Sequence, residues 1–197
     1  MLLRHSFSIC VTALTVLAFS NSARADALDI NLSSDVAQFQ YIAPMGNVGQ
    51  GKSEGHAGFL YNDKDNLLVD AGVLVSNEGD SPALASIGIG IKGVAAKIEK
   101  NDSAALALGG QIRITPADDR KFAIVARVYF APDIVTFGDA EKYYEAIVRA
   151  EYNIMQNASA YVGYRKITFD VDLPSPAQGT EELDLDEGIH VGVRIAF

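Results

Sequence analysis

The chain has 197 residues, with 25 acidic residues against 16 lysines and arginines, and a net charge of −9. This acidity argues against nucleic acid as a partner, because a nucleic-acid-binding surface needs an excess of basic residues. A single cysteine excludes disulfides within one chain. The fold must therefore be stabilised either by an interior core or by the solvent in which the chain lies.

The first 25 residues predict a secretory signal peptide. Arg4 and His5 precede an uncharged, mostly apolar run over 7–19, which is shorter than the roughly 20 residues that a helical bilayer span needs. Ala23 and Ala25 supply the small-residue pattern of a signal cleavage site. We expect cleavage after Ala25 and export of the remaining chain; the alternative is an uncleaved membrane anchor.

The mature part, residues 26–197, is predicted to be one all-β domain. Its only recurring signal is the alternation of apolar and polar residues, as in "SAALALGGQIRIT" and "KYYEAIVRAEYNI", and no stretch shows a sustained helical period. Turn-forming stretches separate about ten strand segments, the first two of which could also be one irregular strand. The segments lie near 27–33, 36–43, 55–62, 67–76, 84–98, 103–115, 121–131, 142–155, 158–171 and 187–197.

Two architectures fit repeated amphipathic strands, a soluble sandwich or barrel and a barrel in lipid. Several segments are longer than the usual five or six residues and match the roughly 9–11 residues of a tilted transmembrane strand. The polar face is rich in glycine and alanine with scattered charges of both signs, which suits a narrow lumen filled by ion pairs. The predicted lumen residues are Asp70, Lys92, Arg113, Arg127, Glu145, Arg149, Glu151, His190 and Arg194.

Aromatic residues concentrate near segment ends, as the girdles of a membrane barrel do. The segment "AYVGYRKITFDV" changes the face that carries its apolar residues, so we expect a β-bulge near Arg165 and Lys166. The predicted girdle residues are Tyr41, Phe59, Tyr61, Phe130, Tyr144, Tyr152, Phe169 and Phe197.

The last stretch, "EGIHVGVRIAF", alternates strictly and closes on phenylalanine. It resembles the C-terminal signal of Gram-negative outer-membrane β-barrels, and this resemblance implies recognition by the barrel-assembly machinery. An ordinary edge strand is the alternative. The residues that carry the pattern are Ile189, Val191, Val193, Ile195 and Phe197.

Together these features predict a closed antiparallel transmembrane β-barrel of about ten strands, with eight as the second choice. Closure is required because an open sheet edge in hydrocarbon would leave backbone amides unpaired. An even strand number puts both termini in the periplasm, with short turns there and the acidic segment "DVDLPSPAQGTEELDLDE" outside the cell.

Longer stretches are similar to the YfaZ family of Gram-negative outer-membrane proteins. The likeness is strongest from Tyr129 to Phe197, over "YFAPDIVTFGDAEKYYEAIVRAEYNIMQNASAYVGYRKITFDVD" and "LDEGIHVGVRIAF", and extends to "LDINLSSDVAQFQY" and "SAALALGGQIRIT". The resemblance implies the fold and an outer-membrane location. It supplies no functional residues to transfer.

Two nucleotide-binding patterns are interpreted as structural. "GNVGQGKS", Gly46 to Ser53, matches the P-loop letters, but the following "EGHAGFLYNDKD" has no helical period to place amides around phosphate. "GIGIKG", Gly88 to Gly93, matches a dinucleotide fingerprint but lies inside an alternating strand, where glycines make room in a narrow lumen. We expect no nucleotide, cofactor or metal.

Three functions remain open from the sequence. The first is a structural or narrow porin-like element with a charged, largely filled lumen and no catalysis. The second is an outer-membrane lipid-modifying hydrolase, for which His190 is the first suspect although no nucleophile and base are paired in sequence. The third is a surface adhesion or binding protein that uses the acidic segment. Outer-membrane lipid and lipopolysaccharide are the expected surroundings, and the oligomeric state is left open.

Overall fold

A computed structural model describes residues 26–64, 66–78, 84–98, 101–116, 119–172 and 180–197. The predicted signal peptide, with Ala23 and Ala25, lies outside the described residues. The strands are β1 (Ala27–Leu32), β2 (Val36–Val48), β3 (Gly51–Asn62), β4 (Leu67–Glu78), β5 (Leu84–Ile98), β6 (Asn101–Thr115), β7 (Phe122–Ala131), β8 (Thr136–Gly138), β9 (Ala140–Met155), β10 (Ala158–Asp172) and β11 (Thr180–Ala196).

The strands form one closed antiparallel barrel. β1 pairs with β11, from Ala27 opposite Ala196, and β5 pairs with β6, so the sheet has no free lateral edge along its length. Ten strands build the wall of the described chain and the three-residue β8 is an addition, which confirms the prediction of ten. Within the same residues no helix is long and apolar enough to cross a membrane.

The two ends of the barrel differ. The start of β1 and the end of β11 lie at one end, together with the β2–β3 and β9–β10 turns, because β1 runs antiparallel to β11. We call this the proximal end. The opposite, distal end carries the turn at 33–35 and the connection 132–139 between β7 and β9.

Three strand boundaries differ from the prediction. β2 and β3 meet in a tight hairpin at Gly49 and Gln50, where Gly49 has a φ of 62°, so the predicted long glycine-rich turn is mostly strand. The first two segments are separate paired strands. β11 begins at Thr180, so most of the acidic residues expected in a loop lie instead on a paired strand.

The predicted break "APDIVTFGDA" contains structure. A single 3₁₀ turn over Asp133–Val135 follows β7, and β8 then pairs with β6 from Thr136 opposite Ala105. β8 thus extends the wall where β7 has ended. Turn residues marked the interruption in the sequence, but they did not reveal that the chain rejoins the sheet.

The outward face of the wall is apolar over a continuous band. Ile89 is 72% exposed on β5 and Leu108 is 68% exposed on β6, and neither contacts a protein core. A continuous band of exposed large apolar side chains is typical of a surface that contacts lipid. In this part of the barrel the apolar residues face outward and the charged residues face inward, as predicted.

The face preference reverses near the distal end of β10. Val162 and Tyr164 point outward into the apolar band, whereas Ile167 and Phe169 are buried inside the barrel. The predicted bulge near Arg165 and Lys166 is wrong, because β10 continues its alternation through both residues. The irregularity is in the pairing of β10 with β11, between Ile167 and Thr168.

Phe169 corrects a second expectation. Its ring is fully buried and packs against Tyr143 with 4.8 Å between ring centroids, so it belongs to no girdle. It is part of a group of interior apolar residues that we call the distal apolar layer. Its members are Val36, Leu60, Leu68, Val94, Ala96, Ile98, Ala105, Ala107, Tyr129, Ala131, Ala140, Tyr143, Ile167, Phe169, Val171 and Leu185.

Candidate functional site

The barrel interior below the distal apolar layer is polar and charged. All nine predicted lumen residues lie on inward positions of their strands, and most are buried. They do not form one continuous cluster. They divide into groups that connect different parts of the wall.

The first group links β5 to β9. Lys92 donates to Glu145, and the Tyr143 hydroxyl donates to the same carboxylate. The Lys92 ammonium also lies 4.7 Å from the centre of the Tyr129 ring. A buried ion pair needs such additional partners, because its two charges have lost their hydration.

The second group surrounds Asp29 of β1. Arg194 donates to its carboxylate from Nη2 at 3.0 Å, Arg149 approaches from Nη1 at 3.4 Å, and the Tyr161 hydroxyl donates to it as well. Arg149 also lies 2.7 Å from Glu151, measured from Nε to Oε1, and Glu151 accepts from Arg113. These charges connect β1, β6, β9 and β11, and the Tyr161 hydroxyl adds β10.

The third group was missed by the sequence analysis. Arg165, 1% exposed, donates from Nε to Asp186 of β11 and from Nη1 to Asn31 and Gln38. Asn31 was visible on the polar face of the alternating stretch "LDINL". Arg165 was hidden by the bulge assigned to that position.

Asp70 and Arg127 have weaker partners than the other lumen charges. Asp70 lies 3.5 Å from His56, between Oδ2 and Nε2, and accepts from Gln40 at 3.4 Å. Arg127 donates from Nε and Nη2 to the side-chain carbonyl of Gln111, at 3.0 and 2.7 Å. Neither residue is brought into a metal site, and no group of three potential metal ligands occurs in the described part of the chain.

His190, the suspected catalytic residue, lies deep in the interior. It is 2% exposed, its ring meets the Tyr161 ring edge-on at 5.8 Å, and its Nδ1 atom has no hydrogen-bond partner among the described residues. None of its described contacts is a serine or cysteine. The imidazole ring is therefore buried inside the barrel, against Tyr161.

The interior is closed toward the distal end and wetter toward the proximal end. Leu60, Tyr143 and Phe169 of the distal apolar layer are fully buried, and the Asn62 amide donates to the Leu185 carbonyl across the top of the layer at 3.2 Å. At the proximal end the side chains of Arg113 and Arg194 are 31% and 25% exposed. Water reaches the charged interior from that side.

A small polar cavity remains between the charged groups. Its lining includes Asp29, Lys92, Glu145, Arg165 and His190. The cavity volume of about 20 Å³ is enough for about one water molecule. The described side chains around this cavity therefore leave room for little more than one water molecule at this point of the lumen.

Outward residues beyond the apolar band are charged. Lys166 lies 2.9 Å from Glu182 and 3.6 Å from both Asp184 and Glu187. The three carboxylates belong to β11, so the acidic residues of this region are fixed by strand pairing and share one lysine. They mark where the outer surface changes from apolar to polar.

The nucleotide-like motifs occupy strands. Gly46 to Ser53 forms the β2–β3 hairpin, in which the Ser53 hydroxyl donates to the Gly46 carbonyl at 3.0 Å. Gly88 to Gly93 lies within β5, paired on both sides. Neither motif is followed by a helix whose amides could bind phosphate.

The C-terminal strand completes the barrel beside β1. The backbone amide of Phe197 donates to the Asp26 carbonyl at 2.8 Å, and its ring is 71% exposed on the outer face. The predicted recognition residues all point outward, in line with one another along β11. They are Ile189, Val191, Val193, Ile195 and Phe197.

A protein-family comparison identifies the chain. The family described as "YfaZ precursor" matches residues 6–197, nearly the whole sequence. The chain therefore belongs to the YfaZ family, which confirms the resemblance seen in the sequence. No curated protein matches the chain.

Solved structures give more distant similarities. The KdgM porin in complex with disordered oligogalacturonate is 12% identical with a TM-score of 0.47, and the alignment covers 88% of this chain and 99% of that one. A second KdgM porin structure is 10% identical at 0.45 over the same shares of both chains. OmpT of Vibrio cholerae is 13% identical at 0.37, covering 82% of this chain and 56% of that one. Such low scores add nothing about function.

Proposed function

For this member of the YfaZ family, we propose a role as a small structural barrel of the Gram-negative outer membrane, without catalysis and without an open pore. The observation that carries this proposal is the distal apolar layer, which crosses the interior above the ion pairs. A solute that entered from the proximal end would meet this layer, in which Phe169 packs against Tyr143 and Leu60 is fully buried. Charges below that layer hold opposite walls together.

The proposed location also assigns the two ends. The proximal end, with the start of β1 and the end of β11, faces the periplasm, and the distal end faces outward among lipopolysaccharide headgroups. We propose that the barrel-assembly machinery recognises the outward residues of β11 during insertion. The chain needs no cofactor for this role.

The other functions receive less support from the geometry. A hydrolase would need an accessible base and nucleophile, whereas His190 is buried and its described contacts include neither serine nor cysteine. An adhesion surface built on a flexible acidic loop is disfavoured because Glu182, Asp184 and Glu187 lie on a paired strand. The narrow porin-like variant requires movement of the distal apolar layer.

Conductance across a planar lipid bilayer tests the proposal. Purified mature protein should give no steady ion steps, because the distal apolar layer crosses the interior. The variant Phe169→Ala removes one of the three aromatic rings of the layer and should give small or flickering steps. Large steady conductance from the unmodified protein would eliminate the closed barrel and favour the porin-like variant.

A further inference from the structure

The connection between β7 and β9 carries two large apolar side chains that no protein atom covers. Ile134 is 87% exposed, the highest value for a large apolar residue in the described chain, and Phe137 is 63% exposed. Exposed Asp133 and Asp139 flank them. We call residues 132–139 the distal loop.

The distal loop is held in place by its own hydrogen bonds. The Val135 amide donates to the Pro132 carbonyl at 3.0 Å, and the Thr136 hydroxyl is placed to donate to the Asp133 carbonyl at 2.8 Å. The Asp139 amide donates to Asp102 at 3.1 Å. Val135 packs against the distal apolar layer. The exposure of Ile134 is therefore imposed by an ordered loop.

Strand pairing fixes the direction of Phe137. It lies opposite Ala104 in the β6–β8 pair, and Ala104 shares the outward face of β6 with Leu106 and Leu108. Phe137 consequently continues the lipid-facing band. The next pair of residues on this face, toward the distal end, is Lys97 and Asp102, so the apolar band ends just beyond Phe137.

We propose that the distal loop is a membrane anchor whose Ile134 and Phe137 side chains insert among the acyl chains of the outer leaflet. The proposal rests on the outer-membrane location proposed above. Lipid is the expected occupant because Phe137 continues a band that already faces lipid and Ile134, three residues before it in the same loop, is likewise uncovered. Backbone that is not helical can lie at this depth in the membrane only when its polar groups have hydrogen-bond partners. The hydrogen bonds of the distal loop provide such partners. Aromatic residues such as Phe137 are typical of this level of a barrel.

Tryptophan fluorescence offers a direct test, because the natural chain contains no tryptophan. Ile134→Trp and Phe137→Trp each place one probe in the distal loop. Leu108→Trp is the reference in the lipid-facing band, and Lys64→Trp is the control in another distal turn, where the side chain is exposed. Each protein is refolded into phospholipid vesicles with or without brominated acyl chains, and closed barrels are verified by gel migration without heating.

We expect blue-shifted emission from both loop probes, and quenching by brominated chains at least about half as strong as for Leu108→Trp, with little quenching of Lys64→Trp. Loop probes that behave like Lys64→Trp while Leu108→Trp is quenched would overturn the anchor alone. Loop quenching that disappears as protein density rises, together with cross-links between copies, would also overturn it in favour of self-association. An unquenched Leu108→Trp would instead refute the membrane location itself.

Discussion

Lys92 and Glu145 form an ion pair between β5 and β9, two strands that are not neighbours in the sheet. The pair therefore spans the interior and ties separated parts of the wall together. Both side chains are almost completely buried, so each charge depends on the other and on Tyr143 for its stabilisation. Pairs of this kind occupy the place that an apolar core has in a soluble barrel.

Lys92→Met should destabilise the folded barrel by about 3–5 kcal/mol, because it leaves the Glu145 carboxylate buried without its cation. The double variant Lys92→Met with Glu145→Leu should recover most of that loss, since removing both charges of a buried pair is often neutral. Urea unfolding in lipid vesicles measures both free energies. Lys142→Met is the matched control.

Lys142 pairs with Asp170 at 3.7 Å on the outer surface, with its own side chain 54% exposed. An exposed pair contributes about 0–1 kcal/mol, so this control should barely change the free energy of unfolding. If Lys92→Met were as mild as Lys142→Met, the buried ion pairs would not be what holds the interior together.

Gly192→Ala should destabilise the barrel by about 1–3 kcal/mol, the usual effect of inserting atoms into a packed interior. A methyl group at Gly192 would overlap the ring and hydroxyl of Tyr161, which lies directly opposite on β10. Gly188→Ala, four residues away on the same strand, meets no atom within 4 Å and serves as the control. Thermal unfolding measures the midpoints of the two variants side by side. Equal midpoints would refute this packing.

Val73→Arg should cost about 2–4 kcal/mol and Asn77→Arg only about 0–1 kcal/mol, because a charge on the lipid face is most unfavourable near the middle of the bilayer. The two residues share the outward face of β4, Val73 in the middle of the strand opposite Ile91 and Asn77 near its proximal end. Unfolding in vesicles provides both values. Equal tolerance at the two positions would mean that the band does not face hydrocarbon.

The alternating pattern predicted the strands, and strand length, the composition of the polar face and the aromatic residues near segment ends then favoured a barrel in lipid over a soluble one. Ten predicted segments correspond to the ten main strands of the wall, although the first two were left open as one irregular strand. Stretches such as "SAALALGGQIRIT" correctly separated an outward apolar face from an inward one. This worked because side-chain direction along a strand depends only on position in the sequence. The inward positions of Lys92, Glu145 and Arg194 follow from the same rule.

The partners of the inward residues were beyond prediction. Which charge meets which depends on the register between strands, and the extra residue Leu185 in β11 changes that register beside β10. At Ile167 and Phe169 the apolar residues change from the outward to the inward face of β10, and in the sequence this change looks the same as a bulge. It arises because the strand contacts lipid at one level of the barrel and a protein core at another. Period-two analysis cannot distinguish these two environments.

Phe197→Ala should slow insertion in cells while leaving refolding of the purified protein into detergent nearly unchanged. The ring is exposed on the outer face, so its loss removes little packing, whereas the proposed recognition by the assembly machinery depends on it. Tyr152→Ala, another outward aromatic, is the control. Pulse-chase assembly followed by gel migration without heating measures the rate. A defect shared equally by both variants would argue against specific recognition.

The most direct test of whether the chain is a closed barrel in the outer membrane is the location and gel migration of the mature protein extracted from cells. A closed barrel with its apolar face in lipid should appear in the outer-membrane fraction and migrate faster without heating than after boiling, because cold detergent does not unfold it. Mature protein dissolved in the periplasmic extract, with the same migration before and after heating, would contradict the account.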